Sequence, residues 1–224
     1  MNYLILVGGE GTRLKSIVSE VPKPLAPLGN KPFLEIFLNK VGFSINDNIH
    51  LLCGYKSDHF IEFAKKSDYK INIIVEDMPL GTGGAIKNAF NLLNLECAVI
   101  FNGDCIQDID LDSLNKKINL NKEESLMVLR QVSDGSRYGS VKVENKIITN
   151  FNEKTNQKCA LINSGIYYLN KIAINLLPNH HSSLEKDLFE KSLKDLNIRP
   201  YIVDGDFIDI GIPQDYLKAK DLYS

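Results

Sequence analysis

The chain has 224 residues, 44% of them hydrophobic, and its 26 Lys and Arg against 28 Asp and Glu leave a formal net charge of -2. That length and apolar content suffice for a full core, while the balanced charge excludes the basic face of a nucleic-acid or membrane-surface binder. No apolar run approaches the length of a membrane span and no charged-then-apolar leader precedes the first strand, so a cytoplasmic protein is expected.

Taken in chain order, apolar runs alternate with amphipathic stretches through the first half. Strands are expected near 3–7, 49–53, 71–75 and 97–101, and helices near 32–42, 57–66 and 83–94. Such alternation predicts a parallel sheet covered by helices. In the first helix Phe33, Leu34, Phe37, Leu38 and Val41 share one face, and Pro32 suits its first turn. The second half brings shorter strands in close succession, near 125–132, 138–143, 146–151 and 159–169, some of which should pair antiparallel. Helices near 171–176, 183–195 and 213–223 and a strand near 198–203 complete the pattern. Cys53, Cys97, Cys105 and Cys159 form no CxxC pair and lie in or beside apolar runs, which reads as reduced, packed thiols.

The chemistry begins where the first strand breaks. Leu4-Ile5-Leu6-Val7 runs into Gly8-Gly9-Glu10-Gly11-Thr12-Arg13-Leu14, followed by Pro22-Lys23-Pro24-Leu25. Glycine lets backbone N–H groups approach an anion, arginine adds a planar fork for phosphate oxygens, and lysine adds a point charge. The dinucleotide fingerprint fails at Leu14, and no Gly-Lys-Ser/Thr follows the first strand. The plainer alternative is a turn whose glycines serve only packing. Against it stands Lys23, which its flanking prolines are expected to hold on a stiff extended segment.

Two carboxylates stand out in apolar surroundings. Asp104 follows the run 98–101 in Asn102-Gly103-Asp104, at the strand edge where ligands of open sheets bind, and Asp209 interrupts Phe207-Ile208-Asp209-Ile210-Gly211. A shared divalent cation would offset the cost of burying them, and Mg²⁺ suits a site of few carboxylates plus substrate phosphates. The alternative is that each caps a local turn. Asp108, Asp110 and Asp112 imitate a calcium loop, but Ser113 and Asn119 stand where Gly and Glu are needed, so Asp110 reads as the N-cap of a helix from Leu111.

Leu80-Gly81-Thr82-Gly83-Gly84-Ala85 is a second glycine loop opening a helix, where backbone can meet a base or a phosphate. Glu76, at a strand end just before it, could accept two hydrogen bonds from guanine, whereas uracil and thymine offer one donor on that edge. A solvated loop acid is the competing reading. Tyr138-Gly139, Glu153-Lys154 and Asn163-Ser164-Gly165 fall at strand ends in the antiparallel half and together offer groups for sugar hydroxyls and a phosphate. His180-His181 follow Pro178-Asn179 in an expected exposed loop and are not read as metal ligands. No serine or cysteine occupies a nucleophile elbow.

These motifs, with Asn152-Glu153-Lys154, Asn163-Ser164-Gly165-Ile166-Tyr167-Tyr168-Leu169 and Asp209-Ile210-Gly211-Ile212-Pro213-Gln214-Asp215-Tyr216, resemble in type and order those of the sugar-1-phosphate nucleotidyltransferase family over essentially the whole chain. The resemblance implies an α/β, Rossmann-like fold with a mixed, mostly parallel sheet flanked by helices and a small antiparallel sugar-binding subregion. It implies one domain over 1–224, with a nucleotide-binding half of about 1–110 and a sugar-phosphate half of about 111–224. The run from Arg13 to Leu28 and the compact length resemble the D-glycero-D-manno-heptose 1-phosphate guanylyltransferases within that family. Relatives acting on mannose 1-phosphate, glucose 1-phosphate or N-acetylmuramate 1-phosphate, uridylyl and thymidylyl transfer included, share most motifs.

The implied reaction is attack by a sugar 1-phosphate oxygen on the α-phosphorus of a nucleoside triphosphate, expelling pyrophosphate and giving a nucleotide sugar for surface polysaccharide synthesis. Carried residue by residue, the resemblance assigns Arg13 to the departing pyrophosphate and Lys23 to bridging the reacting phosphates. It assigns Leu6, Gly8, Gly9, Gly11, Thr12, Glu76, Gly81 and Thr82 to the nucleotide, and Asn102, Tyr138, Gly139, Glu153, Lys154 and Asn163 to the sugar phosphate. Asp104 and Asp209 are assigned to Mg²⁺. Small-molecule substrates are the expected partners, with a homo-oligomer left open. Ile212 departs from the threonine that many relatives carry before the proline, which weakens a helix cap. Two other classes compete: an inactive nucleotide-sugar-binding regulatory subunit, which should have lost part of the Arg13, Lys23, Asp104 and Asp209 set, and a glycosyltransferase, which the sequence Asp104-Cys105-Ile106 disfavours.

Overall fold

Alternating apolar and amphipathic stretches become strands and helices close to where their periodicity places them. The computed structural model describes residues 1–120, 124–135, 139–152 and 158–223, without the side chains of residues 120, 134, 158 and 159. Its elements are β1 (Asn2–Leu6), β2 (Pro27–Leu28), β3 (Lys31–Pro32), α1 (Phe33–Val41), β4 (Asn48–Cys53), α2 (Ser57–Lys66), β5 (Ile71–Val75), α3 (Gly81–Leu92), β6 (Cys97–Asn102), β7 (Cys105–Gln107), α4 (Leu111–Leu120), β8 (Ser125–Asp134), β9 (Ser140–Glu144), β10 (Ile147–Asn152), β11 (Lys158–Asn170), α5 (Lys171–Asn175), β12 (Ile198–Ile202), β13 (Phe207–Asp209) and α6 (Pro213–Leu222). They gather into two compact units: residues 1–78, 101–111 and 205–224, and residues 79–100 and 112–204.

In the first unit β1, β4 and β5 lie side by side in parallel, with Ile5 opposite Leu51 and Leu51 opposite Ile73. The apolar face expected for α1 is buried, Phe33, Leu34, Phe37, Leu38 and Val41 together with Ile36. Pro32 stands one residue earlier than expected, as the N-cap, and Gly42 ends the helix in the left-handed conformation at φ 79°. Phe37, Phe43 and Phe101 meet edge-on or tilted, the last two with ring centroids 5.4 Å apart, and Tyr3 joins them 5.1 Å from Phe43.

One element of this unit has no local sequence signal. β7 and β13 pair antiparallel as a ribbon, Asp209 opposite Cys105 and Ile208 opposite Ile106. The ribbon continues through the Ile210 N–H, which donates to the Asp104 carbonyl at 3.0 Å. After it, α6 starts at Pro213 from an extended Ile212 that has no side chain to cap the first turn, as expected from its departure from threonine. Asp215 already sits in that turn. Ile212→Thr is expected to raise unfolding stability by about 1 kcal/mol without changing turnover, a shift that thermal melts will register.

In the second unit β8 pairs antiparallel with β11 and parallel with β12, while β9 pairs antiparallel with both β10 and β11. Parallel pairing early and antiparallel pairing late is the α/β order the sequence predicts. The helix expected near 183–195 is instead a seven-residue π-helical segment, Leu184–Glu190, followed by a short 3-10 turn, Leu193–Asp195. Side chains compete with the backbone at both ends of that segment. Ser183 caps its start by accepting from the Lys186 N–H, and the Ser192 hydroxyl donates to the Asp187 carbonyl. Cys53, Cys97 and Cys105 are in no disulfide, and the Cys159 side chain lies outside the described residues.

Candidate active site

Gly8 and Gly103 bring three chain segments of the first unit together. A Cβ on Gly8 would lie 2.9 Å from the Gly54 nitrogen, so the ends of β1 and β4 pass backbone against backbone. A Cβ on Gly103 would lie 2.6 Å from the Leu6 carbonyl oxygen, which accepts the Gly103 N–H at 3.0 Å. Asn102 and Asp104 are therefore held directly beside the end of β1. The Asn102 Oδ1 is buried with no hydrogen-bond partner among the described residues.

Gly11 is left-handed at φ 59°, and a Cβ there would stand 2.9 Å from the Lys23 Cβ. Glycine at this position lets the opening loop close onto the Pro-Lys-Pro segment. That segment is not extended, contrary to expectation: Lys23, Pro24 and Leu25 form one 3-10 turn, closed by the Ala26 N–H onto the Lys23 carbonyl. Pro24 occupies the second turn position, where a missing N–H costs nothing, and this outweighs the extended bias proline imposes on its predecessor. The turn buries the Lys23 stem, and its Nζ donates to Asp104 Oδ2 at 2.7 Å. The Lys23 side chain is only 9% exposed, against 42% for Asp104, so the carboxylate keeps an open side.

The β7–β13 ribbon brings Asp209 to the same place. Its Oδ1 accepts the Gly211 N–H at 2.6 Å, the turn-capping bond that was the alternative to metal binding. That bond does not satisfy the whole carboxylate. Burial, reinforced by the Asp104 charge, pushes the Asp209 carboxyl above its usual range despite the opposing pull of Lys23 and the Gly211 N–H. The buried Cys105 thiol, next to Asp104 in the chain and opposite Asp209 in the ribbon, is raised well above its ordinary value, first by burial and then by both carboxylate charges. Two hard oxygen donors of like charge, one strained toward neutrality, form a donor set that a divalent cation would relieve. No cluster of three or more metal-ligating side chains occurs among the described residues. Mg²⁺ needs only one or two carboxylates when phosphates and water complete its shell, so the pair fits that ion.

The rest of the opening loop is open. Gly9 has nothing within 4 Å of its Cβ position, and Thr12 and Arg13 are exposed on a 3-10 turn that Leu14 anchors in the core. Glu76 follows β5, with its N–H on the Cys53 carbonyl and its Oε2 3.7 Å from the Cβ position of Gly54. Burial, with the Glu76 charge adding, pushes the Cys53 thiol up to about 12, so this thiol is inert packing.

In the second unit Gly81 is left-handed at φ 71°, and a Cβ there would fall 2.4 Å from the Ser182 carbonyl oxygen. The Gly83 N–H donates to that same oxygen, and the Thr82 hydroxyl donates to Glu185 and accepts the Leu184 N–H. Close packing against residues 180–184 thus accounts for this loop's composition, and His180 and His181 are exposed as expected. Asn163 sits at a bulge in β11: its Oδ1 accepts the Gly165 N–H, and its Nδ2 donates to the Tyr167 hydroxyl at 2.6 Å. Its own N–H donates to the Gly139 carbonyl, and Gly139 has no room for a Cβ beside Phe151. Tyr138, Glu153 and Lys154 lie outside the described residues.

Three residues around the opening loop went unnoticed in the sequence. Lys15 and Lys56 both stand over the Tyr55 ring, with Nζ 5.1 and 5.4 Å from its centroid, and the Tyr55 N–H donates to the Gly8 carbonyl. Gly54 after β4, matching Gly8 after β1, was the available signal that these segments meet.

The nucleotidyl transferase family model matches residues 2–224. The D-glycero-alpha-D-manno-heptose 1-phosphate guanylyltransferase of Campylobacter jejuni is 40% identical over 222 residues, 96% of this chain and 97% of that protein. The protein of the same name from Aneurinibacillus thermoaerophilus is 40% identical over 227 residues, 98% of this chain and 97% of its own. Among solved structures, HddC from Yersinia pseudotuberculosis complexed with GMP-PN superposes with a TM-score of 0.84 at 32% identity, covering 100% of this chain and 99% of that one.

Proposed function

The chain belongs to the nucleotidyl transferase family, and from that premise we propose that it transfers GMP from GTP to D-glycero-D-manno-heptose 1-phosphate, releasing pyrophosphate and GDP-heptose. The observation that carries the sugar and the base is 40% identity, along nearly the full length of both chains, to two heptose 1-phosphate guanylyltransferases. Unit one supplies a site in keeping with it.

A phosphate oxygen of the sugar 1-phosphate forms a bond to the α-phosphorus of GTP while the bond from that phosphorus to the β-phosphate oxygen breaks. The chain's contribution is position and charge. Backbone at Leu6, Gly8, Gly9, Gly11 and Thr12 lines the nucleotide, and the exposed Arg13 guanidinium takes the charge that grows on departing pyrophosphate. Lys23, fixed by its bond to Asp104, keeps two further ammonium hydrogens for the reacting phosphates. Asp104 and Asp209 are the residues that would hold Mg²⁺, whose chemistry is to withdraw charge from phosphate oxygens. Glu76 would accept the two donors on the guanine edge, and Gly81 and Thr82 are proposed for the nucleotide. Asn102, Tyr138, Gly139, Glu153, Lys154 and Asn163 are proposed for the sugar phosphate. The buried, unpartnered Asn102 Oδ1 supports its place in that set, since such an atom otherwise carries a desolvation cost. With GTP as substrate and no helix long and apolar enough to cross a membrane among the described residues, the cytoplasm is the proposed compartment.

The test is pyrophosphate release with Mg²⁺ for four nucleoside triphosphates against heptose, mannose, glucose and N-acetylglucosamine 1-phosphates. GTP with the heptose is expected to give the highest kcat/KM. A preference for mannose 1-phosphate or for another base would replace the sugar or the base in this reading, and no turnover in any combination would favour the regulatory-subunit alternative.

A further inference from the structure

The segment from Gly8 to Pro22 carries Arg13 yet contains no strand and only one short 3-10 turn. Backbone bonds tighten its first part: the Leu14 N–H donates to Gly11, and the Ile17 and Val18 N–H groups to Leu14. The part beyond is gripped from outside. Lys56 Nζ donates to the Ser19 carbonyl and to the Glu20 carbonyl, both at 2.7 Å, and stands over the Tyr55 ring. Lys15, on the same loop, approaches that ring too and pairs with Glu10 at 3.1 Å.

Lys56 reaches these carbonyls from an uncommon backbone. It is left-handed at φ 54°, ψ 43°, immediately before α2, a conformation that disfavours a side chain with a Cβ. Glycine would fit this position without that cost, so the long cationic side chain needs another reason. Three ammonium hydrogens match two carbonyls and an aromatic face, a set neither glycine nor a neutral side chain can serve.

We propose that Lys56 is a positioning residue for nucleotide binding: it clamps the far arm of the opening loop and so holds Arg13 and the glycine backbone in the shape that receives the triphosphate. This rests on the nucleotidyl-transfer reading above for its substrate, while the clamp itself does not. The Lys56 ammonium touches carbonyls of the loop, and its effect on substrate runs through that loop.

Two variants separate clamp from backbone strain. Lys56→Met keeps the apolar stem and loses the ammonium; Lys56→Gly also relieves the left-handed strain. Amide hydrogen exchange of residues 11–21, measured without substrate, is expected to accelerate at least ~10-fold in both variants, with α2 and the strands unchanged. KM for GTP is expected to rise roughly 10-fold in both, with KM for the sugar 1-phosphate within about twofold of wild type and kcat lowered less. Lys56→Arg, which retains donors and charge, should recover most of the loop protection. Unchanged exchange in Lys56→Met overturns the clamp, and faster exchange with unchanged KM for GTP overturns its role in binding. A Lys56→Gly protein that matches wild type in both readouts would make Lys56 merely a strained helix start. The exchange arm needs no turnover, so a wild-type protein inactive on every substrate pair refutes the proposed function without deciding the clamp.

Discussion

Asp209→Asn is expected to lower Mg²⁺-dependent turnover by roughly 100-fold or more, the scale of losing a metal-held charge contact in phosphoryl chemistry, while making the metal-free protein more stable at neutral pH. The two effects have one cause. Asp209 is held above its usual carboxyl range by burial and by Asp104, so in the absence of a cation the folded state disfavours its ionised form. A carboxyl raised on folding contributes stability that is fully present below its unfolded pKa and is lost as pH rises through the folded value. Above that folded value the contribution is gone, and the charged carboxylate is carried at a cost. Asparagine stays neutral, keeps an oxygen for the Gly211 N–H, and removes the charge facing Asp104.

Thermal melts in chelator should therefore place the variant above wild type at pH 7, with the gap closing as pH falls below about 4. Added Mg²⁺ should raise the wild-type melting temperature and leave the variant unmoved, because a ligand stabilises only the state that binds it. If Asp209 merely caps its turn, the variant will retain metal-dependent turnover. That outcome would end the two-carboxylate proposal.

What the sequence disclosed about this site divides by range. The strand runs, the amphipathic face of α1 and the breaks at Gly8 and Gly103 are local patterns, read from neighbours a few residues away. The meaning of those glycines is not local. That Gly8 faces Gly54, Gly103 faces Leu6 and Gly11 faces Lys23 depends on which segments adjoin, and a single sequence does not state that. The β7–β13 ribbon has the same character: three-residue strands carry almost no periodicity, and their partners are far apart in the chain, so Asp104 and Asp209 could be suspected together only through chemistry. Lys23 failed differently. Proline's bias toward extended neighbours is a preference of modest size, and a buried lysine bonded to Asp104 outweighs it. Lys56 was invisible because nothing in Gly54-Tyr55-Lys56-Ser57 announces a left-handed lysine.

Arg13→Ala is expected to reduce kcat by at least ~100-fold, the cost of removing one preorganised electrostatic stabiliser, with stability unchanged within about 0.5 kcal/mol, as for an exposed surface substitution. The stability half follows from where the turn is anchored. Leu14, 1% exposed, fastens the turn to the core, and the Arg13 side chain projects from the exposed side of the same turn. Removing the guanidinium deletes charge and leaves the anchor. The kinetic half follows from when that charge is needed, because pyrophosphate gains charge as its bond to the α-phosphorus breaks; the loss should then fall on kcat more than on KM for GTP. Arg13→Lys should lie between the two, keeping a cation and losing the planar fork that grips two phosphate oxygens at once. This pattern also separates Arg13 from Lys56. A clamp that shapes the loop before substrate arrives is read mainly in KM, and a cation that meets the leaving group is read mainly in kcat. Near-normal turnover in Arg13→Ala would remove the arginine from the chemistry and leave Lys23, already bonded to Asp104, as the cation that pyrophosphate meets.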